Sequence, residues 1–209
     1  MQLTSQSFAQ GARIPGEFAF CIPDSQTHVA LSRNLNPHLA WTDAPGATKS
    51  FALICSDPDA PSVGDDVNQE GRAVATTLPR VEFIHWVLFD LPASLREIAA
   101  GSFSSEVAPR GKSGTLPVPH GARQGINDFT GWFAGDNDMR GDYYGYDGPC
   151  PPWNDDLIHR YVFTLYALDL EKAELAAPPT AAALRQAMRG HILAEASLTG
   201  LYTLNASLL

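Results

Sequence analysis

The stretch Val81-Glu82-Phe83-Ile84-His85-Trp86-Val87-Leu88-Phe89-Asp90-Leu91 decides the fold class. It is dense in β-branched and aromatic residues, which favour strands, and a proline follows it as a stop signal. Strand periodicity divides its side chains between two faces: Phe83, His85, Val87 and Phe89 on one, and Ile84, Trp86 and Leu88 on the other. Both faces are apolar, so we predict a strand that is buried on both sides.

Two further apolar segments, Ser50 to Cys55 and Arg160 to Leu168, have the same character. The 16 prolines and 17 glycines of the chain divide it into short pieces, most of which lack good helix formers. The sequence therefore predicts a mainly β protein.

Helical signals are few and lie in two places. Thr180 can cap a helix in Ala-rich sequence, with three apolar residues spaced along one side: Leu184, Met188 and Ile192. We expect this helix to end before Thr199-Gly200, and residues 201–204 to return as a strand. A second, short helix is expected around residues 94–99.

Length and charge limit the classes of function. The 209 residues, 44% of them hydrophobic, predict one domain over residues 1–209. A net charge of −9 with dispersed Lys and Arg argues against nucleic acid and anionic membranes as partners. Residues 1–10 are polar, and no segment approaches the ~20 apolar residues of a membrane span, so we expect a soluble, cytoplasmic protein without stable membrane insertion.

The three cysteines, Cys21, Cys55 and Cys150, are odd in number and show no C-x-x-C spacing. This pattern gives no indication of a zinc or redox site, and we expect a reducing compartment. Cys55 closes an apolar run and is interpreted as a small buried residue.

Polar residues suited to a ligand site occur first at Asp57 and Asp59, where prolines stiffen a turn after a strand. Carboxylates in such a turn can equally be ordinary turn chemistry. His85 is a polar ring on an apolar strand face, a pattern shared by ligand-binding and buried core histidines.

A third candidate region begins at Gly148-Pro149-Cys150-Pro151-Pro152 and continues into His159-Arg160-Tyr161. His159 and Tyr161 are two residues apart on a strand and point to the same face, about 6.6 Å apart, so both side chains can reach one small ligand. The proline-rich turn stiffens a loop whose amide groups can face an anion.

The order and spacing of these segments resemble the signatures of the phosphatidylethanolamine-binding proteins, also called Raf kinase inhibitor-like proteins. The resemblance covers nearly all of residues 36–168 and is carried by six blocks: Asn36 to Trp41, Gly46 to Ser50, Asp57 to Pro61, His85-Trp86, Gly148 to Pro152, and His159 to Tyr161. The Pro-Cys-Pro-Pro run and residues 194–200 resemble the bacterial branch.

The resemblance implies a β-sandwich of two antiparallel-rich sheets with a few peripheral helices, including one near the C-terminus. It implies an anion pocket lined by Asp57, Asp59, His85, Cys150, Pro151, Pro152, His159 and Tyr161, in which Cys150 offers its backbone amide. The implied ligand is phosphate or a phosphoethanolamine-like headgroup, bound without catalysis, metal or other cofactor. By analogy with bacterial relatives, a homodimer is also expected.

If Asp57, His85 and His159 converge, the carboxylate should raise the imidazole pKa values and keep at least one ring cationic. The same carboxylate would repel a bare anion. A monoprotonated phosphate or a zwitterionic phospho-amine is therefore the expected ligand.

The sequence departs from the family pattern in two places. Trp153-Asn154-Asp155-Asp156 replaces the usual glycine-containing link before the histidine. Residues 111–146 form a long loop region, interpreted as ordered and functional, and 129–146 resemble an insertion. Its aromatic residues are expected to cover or reshape the pocket entrance: Trp132, Phe133, Tyr143, Tyr144 and Tyr146.

Two other classes of function stay open at this point. Two His and two Asp are also suitable ligands for a metal-dependent hydrolase, although no H-E-x-x-H pair occurs. A kinase- or protease-inhibiting interaction module would be indicated if Trp132 and Tyr144 formed one exposed patch. Residues 136–141 begin like a calcium loop, but Arg140 occupies a ligand position, so we interpret them as a solvated turn.

Overall fold

A computed structural model describes residues 1–209. Its strands are β1 Gln2–Thr4, β2 Cys21–Asp24, β3 His28–Leu31, β4 Leu39–Thr42, β5 Ser50–Pro61, β6 Arg80–Pro92, β7 Glu97–Ile98, β8 Gly111–Lys112, β9 Arg123–Gln124, β10 Asp142–Tyr143, β11 His159–Leu168 and β12 Ile192–Tyr202. The α-helices are α1 Phe129–Trp132 and α2 Ala181–Ala187, and 3-10 turns lie at Gly16–Phe18, Pro119–Gly121, Phe133–Gly135 and Ala206–Leu208.

The central element is a five-stranded antiparallel sheet with the order β12-β11-β5-β6-β9. A three-stranded antiparallel sheet, β1-β4-β7, and the β2–β3 hairpin cover one of its faces. The main core lies between these layers, where Trp41 and Leu39 belong to the same buried cluster as Trp86, Phe163 and Leu53. The predicted β-sandwich is confirmed.

The helix α2 covers part of the other face of the five-stranded sheet. Its capping residue is the predicted one, because the Thr180 hydroxyl accepts a hydrogen bond from the Ala183 amide at 3.1 Å. Leu184 and Met188 are buried in a second apolar cluster with Val87.

The helix predictions were wrong in two respects. The helix α2 ends at Ala187, and Gly190 then takes a left-handed conformation with φ 79°, which lets the chain turn. Ile192 therefore begins β12 and does not extend the helix. Residues 94–99 are not helical, since Glu97–Ile98 pair with the edge of β4.

A β-bulge in β6 corrects the predicted division of its faces. Cys55 pairs with Trp86, but the next residue of β5 pairs with Ile84, so His85 is an extra residue in the strand. Alternation is interrupted there. Trp86 and Leu88 lie in the main core on the same side as His85, whereas the second cluster contains the residues of the opposite side: Ile84, Val87 and Phe89.

A disulfide contradicts the expectation that the cysteines stay reduced. Cys21, at the start of β2, is bonded to Cys150 across 129 residues of sequence, with a Cα–Cα distance of 4.9 Å. Spacing along the chain could not reveal this pair, because only folding brings the two segments together. Cys55 is free and buried, as predicted. No helix of the protein has the length and apolar character that crossing a bilayer requires.

Candidate functional site

A cavity of about 610 Å³ opens at one end of the five-stranded sheet. Seven of the eight predicted site residues line it: Asp57, His85, Cys150, Pro151, Pro152, His159 and Tyr161. Distant segments thus meet at one place, with Asp57 from β5, His85 from β6, and His159 and Tyr161 from β11. The side chains of His159 and Tyr161 share a face, as strand periodicity predicts.

Asp59 does not line the cavity. Its carboxylate instead accepts two hydrogen bonds from the guanidinium of Arg160, at 2.8 and 2.7 Å, and one from the Arg160 amide at 2.9 Å. Simple strand alternation would place the side chains of Asp57 and Asp59 on the same face. The register of β5 against β6 shifts between Asp57 and Ala60, so the two carboxylates point to different surroundings. Burial acts to raise the pKa of Asp59, but the bonds to Arg160 outweigh it and hold that pKa below its usual value.

His159 is held between two carboxylates. Its Nδ1 lies 2.7 Å from Asp57 Oδ2, and its Nε2 lies 3.1 Å from Asp155 Oδ2. Burial opposes the charged ring, but the bonds to Asp155 and Asp57 outweigh burial and raise the pKa of His159 to about 9. Two carboxylates at contact distance therefore favour the cationic form of this ring.

His85 differs from His159 in charge. Its Nδ1 lies 2.8 Å from the carbonyl oxygen of Asp147, which can only accept a hydrogen bond, so Nδ1 carries the proton. Burial lowers the pKa of His85, although the charge of Asp57 and the bond to Asp147 oppose that shift. The ring is therefore neutral near pH 7, contrary to the expected rise, and its Nε2 is an acceptor.

Asp147, which sequence reasoning missed, anchors the loops behind His85. Its fully buried carboxylate accepts hydrogen bonds from the side-chain amides of Asn34 and Asn127, both at 2.8 Å, and lies 3.1 Å from Lys112 Nζ. Burial raises the pKa of Asp147, against the opposing effects of Lys112 and the two amides. In the sequence, the only local indication of a role for Asp147 was its position directly before Gly148-Pro149. Its hydrogen-bond partners lie too far away in the chain to be inferred from the sequence.

Asp155 and Arg80 were also missed as parts of the site. The guanidinium of Arg80 binds the Asp155 carboxylate at 2.5 and 3.0 Å, and both side chains are nearly inaccessible to solvent. Burial favours protonation of Asp155, but the bonds from His159 and Arg80 outweigh it and keep the pKa of Asp155 below its usual value.

Two residues that line the cavity, Tyr161 and Cys150, each carry a polar group that has no hydrogen-bond partner within the protein. The Tyr161 hydroxyl is buried without a hydrogen bond, and the Cys150 amide donates none. Buried polar groups are rarely left unpaired, and each such group calls for an explanation.

The remaining walls of the cavity are apolar, since 15 of its 24 lining residues are hydrophobic. From the insertion-like segment, Phe129, Trp132 and Phe133 form one side. Tyr143 and Tyr146 are instead buried in the main core. The prediction for these aromatic residues is thus confirmed for Trp132 and Phe133 alone.

The open alternatives receive no support from this geometry. Both nitrogens of His159 are already bonded to carboxylates, and no group of three or more His, Cys, Asp or Glu side chains is arranged to hold a metal ion. Tyr144 lines a different groove from Trp132, so the two do not form one patch. Asp136 accepts hydrogen bonds from the amides of Asp138 and Met139, as a turn does.

A concave, largely apolar cavity with a few convergent polar groups, set at the end of a β-sandwich, defines a small-ligand-binding β protein. The chain matches the profile of the phosphatidylethanolamine-binding proteins over residues 4–203. It belongs to that family.

The relatives cover most of the chain. It is 34% identical over 204 residues to a UPF0098 protein of Aquifex aeolicus, covering 97% of this chain and 88% of that protein. It is 33% identical over 171 residues to the UPF0098 protein YbhB of Escherichia coli, covering 81% and 82% of the two. Among solved structures, Escherichia coli YbcL, described as a member of the mammalian family, matches with a TM-score of 0.68 at 26% identity over 97% of both chains. A homologue from Chlamydia trachomatis matches with a TM-score of 0.63 at 30% identity, over 96% of this chain and 95% of that one.

Proposed function

We propose that the protein binds a small molecule carrying a monoprotonated phosphate or phospho-amine group in this cavity, without turnover. The observation that carries the proposal is the buried hydroxyl of Tyr161, which has no hydrogen-bond partner although Tyr161 lines the cavity with Asp57 and His159. A phosphate oxygen is a suitable acceptor for that hydroxyl and for the Cys150 amide.

The polar groups of the cavity favour a ligand that both donates and accepts hydrogen bonds. His85 Nε2 and the Asp57 carboxylate are acceptors, whereas the Tyr161 hydroxyl and the Cys150 amide are donors. A fully ionised phosphate has no donor to offer His85 or Asp57. A P–OH group or an ammonium group supplies one.

The size of the cavity favours an organic phosphate over the free ion. Its volume of about 610 Å³ is within the ~300–1,000 Å³ range of small-molecule sites. Its outer part is lined by exposed apolar residues that could pack against an organic substituent: Leu31, Val63, Val81 and Trp132.

Calorimetric titration with inorganic phosphate, phosphoethanolamine and phenyl phosphate tests the proposal. At about pH 5.5, where a phosphate monoester still carries one proton, we expect all three to bind, and phenyl phosphate to bind most tightly. A Tyr161→Phe variant should bind about tenfold or more weakly, since a hydrogen bond to a charged group contributes roughly 1.5–3 kcal/mol.

Tyr166→Phe is the matched control, because Tyr166 lies on the same strand but is not part of the cavity wall. Absence of heat with all three ligands and a folded protein would contradict the proposal. Equal affinities of the Tyr161→Phe and Tyr166→Phe variants would contradict the role given to the hydroxyl.

A further inference from the structure

A row of four charged side chains ends at the cavity. In order they are Arg80, Asp155, His159 and Asp57, and each contacts the next at 3.1 Å or less. Asp57 and His159 line the cavity, whereas Asp155 and Arg80 lie behind them. All four side chains are buried or nearly so.

The bonding of this row determines the charge of His159. Ionised carboxylates accept hydrogen bonds and cannot donate them. Because each ring nitrogen faces a carboxylate oxygen, both nitrogens must carry a proton, and the ring is an imidazolium. The four charges then alternate in sign and cancel.

Asp155 is the residue that requires His159 to be an imidazolium. With Asp57 as its only carboxylate partner, His159 could serve as a neutral donor through Nδ1 and leave Nε2 unprotonated. Asp57 would then present an uncompensated negative charge to the cavity. That charge would repel an anionic ligand.

We propose that Asp155, paired with Arg80, is a positioning and specificity-determining residue, which holds His159 as an imidazolium and thereby lets the cavity accept an anion. The inference rests on the proposed function, and it concerns a segment, residues 153–156, that departs from the family pattern. Asp155 acts through His159 and does not contact the ligand.

Other titratable groups near His159 leave this assignment unchanged. Asp59, on β5, is neutralised by its bonds to Arg160. The rings of Tyr161 and His85 face the same cavity and are both neutral near pH 7, because burial raises the pKa of Tyr161 and lowers that of His85. Tyr202, opposite His159 on β12, donates its hydroxyl to the Cys21 carbonyl and is not a charged partner.

The first test is made without ligand. Nitrogen NMR of the wild-type protein at about pH 7.5 should show both ring nitrogens of His159 protonated. An Asp155→Asn variant should lower the titration midpoint of His159 from about 9 by at least about one pH unit, the effect of losing a carboxylate at contact distance. Asp156→Asn, which changes an exposed carboxylate next in sequence, should leave the midpoint unchanged.

The second test measures inorganic phosphate binding by the same proteins. Asp155→Asn should bind phosphate about tenfold or more weakly than wild type at about pH 8, as expected for one uncompensated charge a few ångströms away. The difference should shrink at about pH 6, where His159 regains its proton. Asp155→Glu retains a carboxylate and should recover part of the affinity.

The outcomes separate this inference from the proposed function. An unprotonated His159 nitrogen in the wild type, or an unchanged midpoint in Asp155→Asn, overturns the positioning role even if phosphate binds. A lowered midpoint with unchanged phosphate affinity overturns the specificity role. If wild type binds no phosphate, the proposed function and the specificity role both fail, and the NMR result decides the positioning role by itself.

Discussion

Replacement of Asp147 by Asn should weaken the fold through hydrogen bonding alone, because the two side chains have the same shape. Asp147 Oδ1 accepts from Asn34 and faces Lys112, and Oδ2 accepts from Asn127. An asparagine can keep an oxygen at only one of these positions. Its amino group must then face an amide donor.

The neighbouring side chain cannot relieve this conflict by rotating. The Asn127 amide also donates to the Gly145 carbonyl at 3.0 Å, and its oxygen accepts from the Phe129 amide at 3.1 Å. Turning the amide over would break both bonds. One buried donor therefore stays unpaired, at a cost of about 1–3 kcal/mol, and the loss of the charged acceptor for Lys112 adds roughly 1 kcal/mol.

We thus expect Asp147→Asn to reduce the free energy of unfolding by about 2–4 kcal/mol. Urea unfolding followed by tryptophan fluorescence measures this loss. The slope of the unfolding free energy against urea concentration should be the same as in wild type. Asp142→Asn, an exposed carboxylate on β10, is the control and should stay within about 0.5 kcal/mol of wild type. A loss of less than about 1 kcal/mol in Asp147→Asn would refute the account of Asp147 as a fully bonded buried anion.

Because the pKa of His159 is raised from 6.5 to about 9, its ionisation stabilises the fold fully below pH 6.5, and that contribution of about 3 kcal/mol is lost as the pH rises through 9. Urea unfolding across this pH range should show the free energy of unfolding fall in wild type and change less in His159→Gln. An equal dependence on pH in the two proteins would contradict the role of His159. Tyr161→Phe removes a hydroxyl that has no partner, so the free energy of unfolding should fall by less than about 0.5 kcal/mol or rise; a loss above about 1.5 kcal/mol would reveal a bond that the structure lacks. A thiol reagent should detect only Cys55 in denatured, unreduced protein, and detection of Cys21 and Cys150 as well would contradict the disulfide.

Strand positions and most of the cavity lining were predictable because their signals are local. The segments 50–55, 81–91 and 160–168 all lie within observed strands, and the two-residue period correctly placed His159 and Tyr161 on one face. The family signatures supplied the prediction that Asp57, His85 and His159 line one pocket.

The features that sequence reasoning missed depend on residues far away in the chain. The bulge at His85 is set by how β6 pairs with β5, and nothing within residues 81–91 indicates it. The same holds for the pairing of Cys21 with Cys150, and for the carboxylate of Asp155, which became interpretable only once Arg80 was beside it. Composition and hydrophobic periodicity are properties of one segment, whereas each of these contacts joins two segments that are distant in sequence.

The disulfide has a mechanical consequence for ligand entry. It fastens the β2–β3 hairpin, which carries Val29 and Leu31, to the proline-rich segment, so these two sides of the cavity are covalently linked. The side formed by Trp132 and Phe133 has no such crosslink, and Phe133 packs against Phe20 and Phe129. A bulkier ligand would therefore enter by displacing Trp132 and Phe133. Substitutions of these two residues should change the size of ligand that binds more than substitutions in the β2–β3 hairpin do.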